Sequence, residues 1–485
     1  MRHSWLTVMA VIALGVFLRA WNLHATGFTS DEVAELNDIH KPLADIIADR
    51  DDDLFPPLYR TTAALAVRAT GTDLAVRWLS VAYGVLTLVV VWRAGAELLG
   101  ERDAVWPTLL LACSPFHINF CRDGRAYALY CLLTAVMFWA ALRLLRLGSW
   151  GNWSLFVAST AGAVYTHYYA GPLAVVVWAV VLAAVVPRDG WRQPLLATAA
   201  IVVLLLPTPF LLKAALWDKT EELLVAWFDV EAFGYSFVSQ ATGFTVGPSM
   251  VELRSMPASE GIRQFIPWIA VLGFAFLALA WHAYLRLDKP SLAPLAATLA
   301  LAPALGVLGN VVGIGFVFRY VAWMTIPYVL LLGAGASRWR ESRMAAVAIV
   351  ALVAVNAYAV YNRLFDARYA EEDYRAVTRR LDELDPEHRP VLVASHYMGA
   401  ALTYYAADTR SVASFPIFAS QQSDRDKRLA SFRYSHTPGE QFWIVSQWLP
   451  LDDGRRPVRD AALKRFNAKL EAKLNQAEIY SATIP

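Results

Sequence analysis

Long apolar runs follow one another along most of this chain. VIALGVFLRAWNL (residues 11–23), SVAYGVLTLVVVW (80–92) and AGPLAVVVWAVVLAAVV (170–186) are three of them. Lipid offers the backbone no hydrogen-bond partner, so a run of about 20 apolar residues crosses it as a helix that bonds to itself. Eleven segments qualify, roughly 5–23, 75–98, 104–121, 126–145, 153–170, 171–186, 195–213, 265–284, 291–313, 320–336 and 344–361. The interrupted stretch 58–70 reads as an interfacial helix instead. The expected fold is therefore an α-helical polytopic membrane protein of about eleven transmembrane helices.

Composition agrees. Of 485 residues, 57% are hydrophobic and 17% charged, against about 45–50% and about 25% in ordinary soluble domains. The 18 Trp and 20 Tyr suit many membrane–water crossings. A soluble enzyme is excluded by the spans. A net charge of +2 with no basic run gives no sign of nucleic acid. Cys113, Cys121 and Cys131 lie in or beside apolar segments, without metal-ligand spacing, and read as small core residues. The N-terminal MRHSWLTVMAVIALGVFLRAWNL has the charge order of a signal peptide but lacks a small-residue cleavage site, so it reads as a retained first helix.

Basic residues orient the bundle. With the N-terminus in the cytoplasm, one set of loops carries Arg2, Arg93, Arg102, Arg143, Arg146, Arg188, Arg192, Arg286, Lys289, Arg338, Arg340 and Arg343. The opposite short loops carry only Arg122, Arg125 and Arg319. Positive charge favours the cytoplasmic side, so the N-terminus is expected inside. Loops 24–74 and 214–264 and everything after about residue 362 are then outside. The expected domains are a membrane part, 1–362, and an outer part, 363–485. In the outer part EEDYRAVTRRLDEL reads as an amphipathic helix, PVLVAS and QFWIVSQW as strands, and DAALKRFNAKLEAKL as a second helix. That alternation predicts a small α/β domain.

The outer edge collects chemistry. Asp31 and Glu32 follow the first span directly; then come DDDLFPPLY (51–59), CRDGRAYAL (121–129), YTHYYAG (165–171) and FRYVAW (318–323). Each member alone has a bland reading. The acids can start an interfacial helix, Pro56 and Pro57 can break a loop, Arg125 can reach for headgroups, and His167 can be a core histidine. Their coincidence on one face is less easily dismissed, because charges at that depth usually line a cavity. An arginine fork holds phosphate oxygens, and a carboxylate can take a proton from an attacking hydroxyl or amine. Together they suit transfer from a phosphate-bearing lipid donor, although placement alone also permits a transporter.

The motif order is DE after the first span, D-x-x-PPLY (53–59), AVRWLS (75–80), SPFHINFCRDGRAYAL (114–129), then YTHYYAG. It resembles the glycosyltransferase family 39-type membrane enzymes, which include protein O-mannosyltransferases and lipid A aminoarabinose transferases. The resemblance runs over roughly residues 5–330 and is loose in the tail. It implies a GT-C fold and inverting transfer of a sugar from a polyprenyl phosphate at the outer face of a bacterial-type cytoplasmic membrane. By the same resemblance Asp31 is the catalytic acid–base residue, supported by Glu32. The family's acid before the double proline maps onto Asp53, its Q-E-x-R-x-Y stretch onto Arg122, Asp123, Arg125 and Tyr127, and its late R-Y onto Arg319 and Tyr320. Phe55 stands where the family commonly has His, and Arg122 and Asp123 replace its Gln and Glu.

The expected roles follow. Asp31 is the general base, and Glu32 and Asp53 shape the acidic side. Arg125 and Arg319 bind the donor phosphate, and Pro56, Pro57, Tyr59, Arg122, Asp123, Tyr127, His167, Tyr168 and Tyr320 complete the substrate contacts. No cofactor is required by this reading; a divalent metal between Asp53 and His167 is the one candidate. The partners are the lipid-linked donor, a lipid, glycan or protein acceptor, and the membrane. The alternatives are a transporter or flippase of a lipid-linked or anionic solute and a non-catalytic scaffold. The expected inverted repeats and midplane polar breaks of transporters are not seen in the sequence.

Overall fold

A computed structural model describes residues 2–48, 56–209, 211, 238–312, 318–393, 396–406, 409–414, 437–447, 460, 463–474 and 477–485. Asp53 and the first half of the 214–264 loop lie outside the described residues. The chain forms two compact units. One gathers Met1–Leu23, Ile39–Val246 and Pro267–Tyr361; the other gathers His24–Asp38, Gly247–Ile266 and Asn362–Pro485.

The first unit is a helical bundle, and the described part of each expected span is mainly helical. Among the described residues six helices are long and apolar enough to cross a membrane: Ala75–Leu99, Tyr127–Arg146, Ala170–Asp189, Ser259–Arg286, Lys289–Val307 and Arg343–Phe365. Large apolar side chains stand bare on them, with Val175, Leu277 and Val350 each at least 66% exposed. Such surface suits contact with lipid tails rather than water. The chain is a multi-pass membrane protein.

Two expected spans are not single rods. The span at 104–121 is two helices, Val105–Ala112 and Pro115–Arg122. Ser114 caps the second by accepting from the His117 amide, and Pro115 opens it. Proline lacks the N–H a continuous helix would use, so Ser-Pro starts a new helix instead of extending the old one. The last-carbonyl problem this break creates is met by a buried cation. Arg19 donates to the carbonyls of Leu111 (2.9 Å), Ala112 (3.1 Å) and Gly15 (2.9 Å), and also lies 2.7 Å from His117 Nδ1. The other irregular span opens as a 3-10 turn, Phe318–Met324, before the helix Thr325–Ala336.

The helices approach closely where glycine allows it. A Cβ at Gly84 would stand 2.3 Å from Cys121 Sγ, and one at Gly335 would stand 2.0 Å from the Leu279 carbonyl oxygen. Small residues at such crossings are how helices pack without help from water.

The second unit is built on a five-stranded mixed sheet, ordered β2 (Val412–Ser414), β1 (Val391–Val393), β3 (Gln441–Gln447), β5 (Ala477–Thr483), β4 (Lys469–Leu474). β1 pairs parallel with both β2 and β3, and β5 pairs antiparallel with β3 and β4. All three residues of β1 are buried, as a central parallel strand requires. The expected helix at 374–384 is present, and β1 and β3 are the two expected strands.

One expectation is corrected. KLEAKL in the expected second helix is the strand β4. Lys, Glu, Ala and Leu favour helix individually, but here Ala472 and Leu474, two residues apart, share one face as in a strand, and a bulge after Leu470 leaves that residue exposed. Ala472 and Leu474 pack on the sheet's core, while Lys473 and Glu471 bond outward to Glu478 and Ser481. Tertiary pairing overrides local propensity.

The segment His24–Asp38 belongs to this second unit by packing. Val33 sits in one core cluster with Tyr374, Val377, Leu381, Val391 and Val393. The helix Ser30–Ile39, which carries the first acid pair, is thus built into the α/β unit rather than onto the bundle core.

Candidate active site

The expected site residues fall into two groups, one in each unit.

In the membrane unit the group centres on His167. This residue lies in the turn between the helices Trp150–Val164 and Ala170–Asp189. The Tyr169 amide donates to its Nδ1 at 3.2 Å, which leaves the ring proton on Nε2. Four tyrosines surround the ring. Tyr130 stacks on it at 5.0 Å and 5°, Tyr320 lies at 5.1 Å, Tyr169 at 5.8 Å and Tyr127 at 6.1 Å between centroids. Tyr127 and Tyr130 share one face of the helix Tyr127–Arg146 because they are three residues apart. Tyr320 arrives from the 3-10 turn, which Cys131 ties to that helix by an Sγ–Ala322 carbonyl contact of 3.6 Å.

Arg125 and Arg319 join this group. Arg125 is buried, at 5% exposure, in the turn before the tyrosine helix. Both guanidiniums lie close enough to act electrostatically on the His167 ring. Sequence positions 125, 167 and 319 are therefore one place in space. The double proline is connected to the same turn: Pro57 opens the helix Pro57–Thr70, and the Leu58 amide donates to the Tyr165 carbonyl at 3.0 Å. Tyr59 in that helix is buried.

Arg122 bonds to backbone. Its guanidinium donates to the carbonyls of Arg19 (3.1 Å) and Trp21 (2.6 Å), closing the C-terminal end of the first helix. Asp123 follows as the C-cap of Pro115–Arg122, and Tyr168 is half-buried in the His167 turn.

In the second unit the group centres on Asp31. Thr29 and Glu32 form a capping box: the Glu32 amide donates to Thr29 Oγ1 (3.2 Å) and the Thr29 amide to Glu32 Oε2 (2.9 Å). Glu32 is almost fully buried at 1% exposure, whereas Asp31 is half-buried. The box presents Asp31 in the first helical turn, where a carboxylate is favoured by the helix dipole. Glu32 thereby positions Asp31 through the backbone.

Residues from the far end of the chain fasten the segment leading into this turn. The Gly27 amide donates to Asp373 Oδ1 (3.0 Å) and the Phe28 amide to the Tyr405 hydroxyl (2.5 Å). Ser30 Oγ donates to Glu372 Oε2 (2.9 Å), and Arg375 Nη2 donates to the carbonyls of His24 (3.1 Å) and Ala25 (2.6 Å). Sequence reading missed Glu372, Tyr130, Tyr169 and Arg19. Tyr169 stands inside the quoted YTHYYAG, and Tyr130 repeats Tyr127 at helical spacing; nothing local marks Glu372 or Arg19.

Among the described residues no three His, Cys, Asp or Glu side chains come together to hold a metal ion. Asp53 is outside the described residues, so the expected Asp53–His167 pair lies outside the description.

Residues 56–213 match the sequence profile of the family described as dolichyl-phosphate-mannose-protein mannosyltransferase. That segment runs from the double proline through Arg125 to the helix after His167. No curated protein sequence matches the chain. Among solved structures, ArnT from Cupriavidus metallidurans in the apo state aligns with a TM-score of 0.57 at 12% identity, covering 98% of this chain and 97% of that one. The fold is GT-C. The same enzyme bound to undecaprenyl phosphate aligns with a TM-score of 0.54 at 12% identity, over 99% and 97% of the two chains. The Archaeoglobus fulgidus oligosaccharyltransferase AglB, in complex with an inhibitory peptide and a dolichol-phosphate, aligns with a TM-score of 0.54 at 13% identity, over 99% and 74%.

Proposed function

We propose that the chain is an inverting glycosyltransferase that uses a polyprenyl-phosphate-linked sugar. The observation that carries this reading is the pair of guanidiniums, Arg125 and Arg319, close to buried His167 and the tyrosines around it. Two arginines at such a site suit a phosphate, which accepts their paired N–H donors. The tyrosine faces suit a sugar or the first part of a prenyl tail. The GT-C fold supports the reading, as do the solved relatives, one bound to undecaprenyl phosphate and one to a dolichol-phosphate. No comparable likeness favours the transport alternative.

The chemistry balances on the chain's own residues. An acceptor hydroxyl or amine attacks the sugar's anomeric carbon while Asp31 takes its proton. The bond from that carbon to the phosphate oxygen breaks, and the configuration inverts. The leaving prenyl phosphate keeps the electron pair, and Arg125 and Arg319 stabilise its growing negative charge. A phosphate leaves as an anion, so no general acid is needed. Glu32 holds the Asp31 turn, and Tyr127, Tyr168, His167 and Tyr320 shape the donor site. By the positive-inside pattern the N-terminus is cytoplasmic and the α/β unit faces outward. The acceptor is a lipid, a glycan or a protein.

The test uses purified protein in liposomes, a panel of radiolabelled polyprenyl-phosphate sugars and a crude envelope extract. Label moving from prenyl phosphate to an extract component, with one donor preferred, is the expected result. Retention of label on every donor would overturn the reading.

A further inference from the structure

At one end of the sheet in the α/β unit, polar side chains gather in a row. Gln441 of β3 stands opposite Thr483 of β5, and Trp443 opposite Ser481, so these four side chains share one face of the antiparallel pair. On the other side of β3, Arg389 lies two residues before Val391, which pairs with Trp443. Beyond β5, Asn467 stands in the turn that enters β4. These residues line a cavity of about 130 Å³. Gln441, Asn467 and Thr483 are exposed, so it opens to solvent.

Backbone bonds fix the walls. The Trp443 amide donates to the Pro390 carbonyl (2.9 Å), the Thr483 amide to Phe466 (3.3 Å) and the Asn467 amide to Lys464 (3.3 Å). Asn467 takes a left-handed φ of 45°, which asparagine tolerates better than most residues. On the opposite face of the sheet Phe442 and Phe466 pack edge to face, with centroids 5.0 Å apart. A site held in this way keeps its shape before a ligand arrives.

The lining selects a chemistry. Amides and hydroxyls both donate and accept, as each hydroxyl of a sugar does. Gln441, Asn467 and Thr483 offer both roles. Ser481 Oγ donates to Glu471 (2.8 Å) and keeps its lone pairs for a donor. Arg389, the cation of the lining, is already engaged by Asp385 (3.3 Å) and Glu387 (2.7 Å), which leaves it little charge to draw an anion. Size narrows the ligand further. A cavity of about 150 Å³ holds one benzene ring, so this one accommodates a single six-membered ring.

We propose that this cavity is a subsite for one sugar ring of a neutral glycan. As a binding site it stands on its own; the identification of that glycan with the acceptor rests on the transferase reading.

The test is saturation-transfer-difference NMR on full-length protein in lipid nanodiscs, which needs neither donor nor turnover. The probes are the methyl glycosides of glucose, galactose, mannose and N-acetylglucosamine, with glucuronate as the anionic comparison. At least one neutral glycoside should bind with a Kd on the order of 1 mM, as so small a ligand allows. Gln441→Ala and Thr483→Val, both at exposed positions, should each raise that Kd by about threefold or more, the contribution of one hydrogen bond. The double variant should lose the signal while melting like wild type. No response from any neutral glycoside overturns the proposal, as does a stronger response from glucuronate or an undiminished response in the double variant. Failure of the transferase reading is a different result: no label transfer by wild type, with glycoside binding intact.

Discussion

Replacing Gly27 by alanine is the smallest change expected to displace the candidate base. A Cβ at that position would meet Asp373 Oδ1 at 2.7 Å, Arg375 Cβ at 2.8 Å and the Arg375 amide nitrogen at 3.0 Å. Those atoms belong to the cap and first turn of a helix, and none can rotate aside without uncapping it. Ordinary contact begins near 3.4 Å, so the Gly27 segment must retreat by about 0.7 Å from a packed wall that does not yield. Retreat lengthens the Gly27–Asp373 bond and the two Arg375 bonds to His24 and Ala25. Overpacking of this kind costs about 1–3 kcal/mol. Asp31 follows a few residues later, and a misplacement near 1 Å of a reacting group can cost about 100-fold in rate. A kcat lower by about tenfold is therefore expected, equivalent to about 1.4 kcal/mol of barrier. Donor KM should stay within about twofold, because Arg125 and Arg319, the arginines proposed to hold the donor phosphate, are in the other unit. The assay is initial-rate sugar transfer in proteoliposomes, with amide hydrogen exchange on the peptide spanning 24–36 beside it. Gly151→Ala, where an added Cβ meets nothing within 4 Å, is the control. Wild-type kcat and wild-type exchange in Gly27→Ala would refute the reasoning.

Two further outcomes are expected. Arg125→Ala should weaken donor binding by about tenfold or more, since hydrogen bonds to a charged group contribute about 1.5–3 kcal/mol. Arg125→Lys should recover only part of it because lysine lacks the planar fork; unchanged donor affinity in both would count against the phosphate role. Arg410→Ala should destabilise the α/β unit, read as earlier proteolysis and a lower melting temperature. Arg410 bonds Asp385 at 3.1 Å and Asp382 at 3.0 Å, and its side chain and that of Asp385 are each only 1% exposed. Breaking such a pair typically costs about 3–5 kcal/mol. Arg389, 3.3 Å from Asp385, remains as a second partner and holds the loss to the lower end of that range. A melting temperature equal to wild type would contradict it.

The membrane fold was largely legible because hydropathy is a local property: a run such as AGPLAVVVWAVVLAAVV spans or packs whatever its neighbours do. Ser114-Pro115 also carried a readable break, a helix-start pair inside an apolar run, though the expectation of one continuous span passed over it. KLEAKL misled because residue propensity and residue period disagreed, and only the pairing with β5 decided between them. The membrane-side group was partly legible. YTHYYAG and CRDGRAYAL drew attention to His167, Arg125 and Tyr127, but the stacked Tyr130 is one more aromatic in an apolar helix until the ring beneath it is known. The clasp on Asp31 was not legible at all. Ser30 and Glu372 lie more than three hundred positions apart, and a single chain carries no signal that a serine before an acid pair meets one acid of a distant run. Arg122 carries a bond that its motif did not announce: it reaches back to carbonyls at the end of the first helix.

The most direct test of the account is label transfer by wild type and Asp31→Asn, side by side in liposomes, from the polyprenyl-phosphate sugar that wild type prefers. Asparagine keeps the shape but cannot take a proton. The account predicts that Asp31→Asn binds donor with wild-type affinity and moves no measurable label to acceptor. Wild-type transfer by Asp31→Asn would contradict it.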